Sequence, residues 1–116
     1  MKLTNREKNV LSLFSDKEIE EQRKELLENL IEAYGGEEEI EQRFGSDSFG
    51  EHEALDRAFI FSENWQTYFL ESPAVAKNPE VYRLGQIALQ FILEAYNAVG
   101  NQTLDDKKVK NGIHSK

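Results

Sequence analysis

A chain of 116 residues with 39% apolar and 31% charged side chains has room for one hydrophobic core and is too apolar for the disordered class. Its net charge of −8 works against a partner held by its phosphate backbone, so no nucleic-acid duplex is expected as a ligand. The absence of cysteine removes disulfides, thiolate metal sites and cysteine nucleophiles together, and fits a reducing compartment.

Thr4 and Glu7 have the spacing of a capping box and predict a short helix to about Phe14, with Val10, Leu11, Leu13 and Phe14 crowding its last turn. The same polar start does not open a signal peptide, and no apolar run approaches bilayer length, so a cytoplasmic protein without a membrane partner is expected. Ser15 and Glu18 repeat the capping spacing and open a helix to Tyr34, with Ile19, Leu26, Leu27, Leu30 and Ile31 on one side. Gly35-Gly36 ends it. Its other face carries Glu21, Glu25, Glu28 and Glu32, a stripe that keeps the protein soluble or attracts a basic partner.

Residues 37–44 fit a short acidic helix, and Gly45-Ser46-Asp47-Ser48-Phe49-Gly50 reads as a loop without the alternating oxygen ligands of a calcium site. Ser48 and Glu51 then start a helix running to about Glu71. On it Ala54, Leu55, Ala58, Phe59, Phe61, Ser62, Trp65, Tyr68, Phe69 and Leu70 spread over an arc of roughly 200° at the helical period. Ser72-Pro73 interrupts it, and Asn78-Pro79 begins the last helix, read to Val99 with a stop at Gly100. Val81, Leu84, Ala88, Phe91, Ile92, Ala95 and Val99 form its expected core stripe, beside a second apolar strip of Tyr82, Leu89, Leu93 and Tyr96. No stretch alternates at period two.

The predicted fold is an all-α bundle. Helices 51–71 and 79–99 form an antiparallel hairpin packed on helix 15–34, in a single domain over 1–100 with a polar, disordered tail over 101–116. Apolar arcs this broad exceed what a lone short chain covers, which predicts a homodimer or higher oligomer with Tyr82, Leu89, Leu93 and Tyr96 at the seam.

Chemistry-bearing residues are few. His52 and Asp56 stand one turn apart with Glu63 further along the same edge, which reads as a helix-start contact or as a weak metal-hydrolase candidate. Of the two histidines only His52 lies in the expected folded region, too few for an ordinary zinc site, and no catalytic residue, cofactor or metal is assigned. Arg57, beside Tyr68 and Trp65, is the kind of cation and aromatic mixture that binds a flat anion. Arg83 and Tyr82 of the last helix complete the expected ligand set if the two arginines converge, with His52 at its edge.

Leu3 to Leu13 resembles the opening of LuxR-type helix-turn-helix domains, but the next helix is Glu-rich where that family places a basic recognition helix. His52-Glu53-Ala54-Leu55-Asp56-Arg57, with Ser72-Pro73-Ala74-Val75, Asn78-Pro79-Glu80 and Ala95-Tyr96-Asn97-Ala98-Val99-Gly100, resembles small helical proteins of bacteria and their phages that carry no established activity. That resemblance implies a two-helix body and no particular chemistry. By analogy with phage sponges of similar size and class, the sharpest expectation is a non-catalytic oligomer that sequesters a nucleotide-type anion. The alternative is an adaptor or inhibitor that uses the acidic helix face.

Overall fold

The computed structural model describes residues 2–13 and 15–110, the last ten as backbone only, and is all-α, with no strand among the described residues. Helix α1 spans Asn5–Leu11, α2 Asp16–Tyr34, α3 Glu37–Phe44 and α4 Phe49–Asn64. A π-helical turn, Trp65–Leu70, prolongs α4, followed by the single turn α5, Pro73–Ala76, and by α6, Pro79–Lys110. The chain falls into two compact units, Met1–Gln42 and Arg43–Lys116, where length alone implies one core. Among the described residues, no helix is long and apolar enough to cross a membrane.

In the first unit, capping chemistry sets where helices begin. Glu7 N–H donates to Thr4 Oγ1 at 3.2 Å while Thr4 N–H donates to the Glu7 carboxylate at 2.9 Å, so two amides free at a helix start are both satisfied. Helix α1 stops at Leu11, short of the expected Phe14, because Ser12 turns its hydroxyl onto the Asn9 carbonyl at 2.9 Å; Phe14 itself lies outside the described residues. Ser15 Oγ receives the Glu18 amide at 3.1 Å and starts α2. At the other end, Gly35 and Gly36 take φ of 93° and 133°, where a side chain is strained. Both of their amides donate to the Ile31 carbonyl, at 3.1 and 2.8 Å, and α3 starts directly after them.

The second unit is built on α6, against which α4, the π turn and α5 all pack. Its loop start is fixed by Asp47 in the left-handed region at φ 63°, whose amide donates to Glu51 Oε1 at 2.9 Å. Ser48 Oγ receives the Glu51 amide at 3.1 Å, the third cap. Phe59 faces Tyr96 at 6.4 Å between ring centres, and Trp65 Nε1 donates to the Gly85 carbonyl at 2.9 Å. Rising numbers on α4 meet falling numbers on α6, so the two run in opposite directions. The core is small: Leu70, Leu89 and Val75 are the apolar side chains buried among the described residues, at 1%, 5% and 8% exposure.

The π turn corrects the wheel drawn at 100° per residue. In an α-helix Trp65 and Leu70, five residues apart, point about 140° away from each other. Widening the turn by one residue aligns positions five apart, so Leu70 joins Trp65 on the side of α6. Tyr68 is swung outward by the same widening and is 78% exposed, although the α-helical period puts it in the core arc. Trp65 and Phe69 then stack at 4.4 Å with planes 20° apart, and Phe61 extends the row at 6.4 Å from Trp65.

Two expectations for α6 are also corrected. The helix passes through Gly100 to Lys110 instead of stopping, since Gly100 does not take a left-handed φ and an interior glycine costs only about 1 kcal/mol. Residues 111–116 of the expected tail lie outside the described residues. The helix also faces its partners differently. Leu89, expected at a seam between copies, is in the core, while Phe91, expected in the core, is 59% exposed. Gly85 decides between the two apolar strips. A methyl added there would lie 2.5 Å from Leu70 Cδ2, so only a bare backbone lets α6 approach the π turn on this side.

Candidate functional site

The residues expected to bind a ligand do not meet. His52 Nε2 lies 2.9 Å from Asp47 Oδ1 in the preceding loop, so its carboxylate neighbour is Asp47 and not Asp56. Arg57 Nη2 is 2.6 Å from Glu53 Oε1, one turn back, with its guanidinium largely in water. Arg57 stands eight residues before Trp65, and Arg83 lies beyond the level of Trp65, because Gly85 is opposite the indole. At 1.5 Å per residue the two arginines are about 15 Å apart along the helices, too far to clamp one phosphate.

The aromatic members are dispersed as well. Trp65 is half-buried and spends its indole N–H on Gly85; Tyr68 projects into solvent; the Tyr82 hydroxyl accepts from Gln86 Nε2 at 3.0 Å on the surface of α6. Among the described residues no three His, Cys, Asp or Glu side chains are grouped to hold a metal, and His52, Asp56 and Glu63 form no such group.

What the second unit does assemble is a groove of about 260 Å³ between α4 and α6. Ala54, Leu55 and Ala58 line one side, and Ile92, Ala95, Tyr96 and Val99 the other. These positions are three and four apart on α4 and three, four and seven apart on α6, so each set falls on one face. The three alanines, whose side chains end at a methyl group, leave the space beside the Phe59–Tyr96 ring contact. Apart from the Tyr96 hydroxyl, the lining offers no side-chain hydrogen-bonding group. It can exclude water from apolar side chains and has nothing with which to move a proton.

The same two helices also carry exposed apolar side chains. Phe59, Ile60 and Phe61 of α4 are 49%, 56% and 54% exposed, and Phe91 of α6 lies open as noted. Of the expected seam residues, Tyr82 is exposed and Leu93 and Tyr96 are half-buried, whereas Leu89 is unavailable. The sequence pattern missed the alanine groove because alanine carries little weight in an apolar wheel. The clue was the spacing of Ala54, Ala58 and Ala95 opposite larger neighbours.

The first unit holds a second concavity, of about 480 Å³, lined by Leu27 and Ile31 of α2 and by Glu37, Glu38, Ile40 and Glu41 of α3. Nearer the start of α2, Glu20 accepts from Arg23 Nε and Nη2 at 3.0 and 2.6 Å. That hydrogen bond holds the Glu20 carboxyl below its ordinary range and the Arg23 guanidinium above its own. Both groups are fully exposed, so the pair shapes the surface more than it stabilises the helix.

No family model matches the chain, and no curated protein or solved structure matches it. No relative therefore assigns a role to any of these residues.

Proposed function

We propose that this chain is a non-catalytic association protein whose α4–α6 groove seats apolar side chains from a second copy of itself. The observation that carries the reading is the groove itself: seven lining residues, a single hydroxyl among their side chains, open to solvent beside exposed phenylalanines of the same two helices. A surface that offers both an alanine-lined recess and protruding rings is complementary to its own copy, which is what a two-fold interface requires. Covering such a patch removes apolar area that a monomer leaves in water. The seam drawn from sequence is thereby moved: Phe59, Phe91 and the alanine face take the place of Leu89.

The sharper version, sequestration of a nucleotide-type anion, draws no support from the geometry of one copy, where Arg57 is engaged by Glu53 and Arg83 is remote. Association is the reading kept. Isotope-filtered NMR on a mixture of ¹³C-methyl-labelled and unlabelled chains tests it. Contacts from the Ala58 and Ala95 methyl groups to protons of an unlabelled copy are expected. A dimer without such contacts would place the seam elsewhere and overturn the groove.

A further inference from the structure

We propose that the concavity between α2 and α3 is a docking site for a cationic amphipathic helix of another protein, distinct from the groove used for self-association. Its floor is aliphatic, from Leu27, Ile31 and Ile40, and its rim is acidic, from Glu37, Glu38 and Glu41. The charge around it is uniform in sign: from Glu25 to Glu41 the chain carries seven glutamates and no lysine or arginine. Arg23 and Lys24 before this segment and Arg43 at the end of α3 offset only part of that charge, so the rim keeps a negative excess that a cationic partner would neutralise.

Two features separate this from a solvated acidic face. The first is volume, about 480 Å³ of space over an apolar floor, where a purely solubilising stripe would lie on a convex helix side. The second is the turn itself. The Ile31 carbonyl takes the amides of both Gly35 and Gly36, so the chain reversal that brings α3 beside the end of α2 is hydrogen-bonded before any partner arrives. A partner that fits supplies aliphatic side chains at helical spacing for the floor and lysines or arginines on either side for the rim. An anionic helix is repelled, and an unstructured polycation satisfies the rim but leaves the floor wet.

The test uses the full ¹⁵N-labelled chain and synthetic peptides of about fourteen residues: a leucine–lysine sequence patterned as an amphipathic helix, the same composition scrambled, and a leucine–glutamate counterpart. Binding of the patterned cationic peptide is expected to shift the amides of Leu27, Ile31 and Glu37 to Glu41. Its affinity should fall about tenfold or more between about 50 and about 300 mM salt. The double variant E38Q/E41Q, checked for unchanged helicity by circular dichroism, is expected to weaken binding by about tenfold, and Ile40→Ser to weaken it at any salt. Equal binding of the scrambled peptide, shifts confined to other residues, or no shift at millimolar peptide would each overturn the proposal. If these amides move on concentrating the protein alone and ignore the peptide, the occupant is a second copy and the proposal fails, while the α4–α6 association stands.

Discussion

Gly85 is the residue on which the second unit turns. In an exposed helix interior, replacing glycine by alanine stabilises by about 1 kcal/mol, through backbone entropy. Here the added methyl meets Cδ2 of Leu70, the most buried side chain, at 2.5 Å, and Cε2 of Phe69 at 3.4 Å. Overpacking of this kind costs about 1–3 kcal/mol, so Gly85→Ala is expected to gain nothing and to lower stability by up to about 2 kcal/mol net. Urea unfolding followed by Trp65 fluorescence, a clean probe because the chain has one tryptophan, reads the change. A midpoint raised by the gain of an unobstructed helix position would mean that α6 does not approach the π turn through this position. His52 teaches the same lesson from the polar side. Its nearest carboxylate in sequence register, Asp56, loses to Asp47, because the left-handed turn at Asp47 brings that side chain over the first turn of α4.

At the scale of elements, helix starts were legible and helix facings were not. Thr4, Ser15, Ser48 and Asn78 each cap the helix that the sequence assigns to them, since a cap depends on residues three apart and on nothing distant. Facing depends on which neighbour can come close, and that information sits in Gly85 and in the π turn, neither of which changes the apolar count along a strip. The π turn also explains why Tyr68 was misplaced. If the turn is one residue accommodated in an otherwise α-helical register, deleting exposed Thr67 leaves Trp65 and Leu70 four apart and about 40° from each other on an α-helix. The deletion is therefore expected to keep the fold, with a melting midpoint within about 5 °C of the parent. Collapse of the helical signal would show that the wide turn is required for more than aligning those two side chains.

For the molecule as a whole, excess apolar surface was evident in the sequence and persists in the structure, though on other residues. Broad arcs on two helices announced more greasy surface than one chain hides; which part stays exposed was decided by packing, so Phe91 lies outside and Leu89 inside. The candidate ligand site fared worse, because bringing Arg57 and Arg83 together needs a register between α4 and α6 that no local pattern specifies. Self-association is the claim on which the functional account rests, and sedimentation equilibrium of the full chain beside its Ala58→Glu variant tests it most directly. The account predicts a mass of two or more chains at micromolar concentration for the parent, and a single-chain mass with unchanged helicity for the variant, whose carboxylate would be buried in the seam without a partner. A single-chain mass for the parent, or an oligomer indifferent to the substitution, would contradict it.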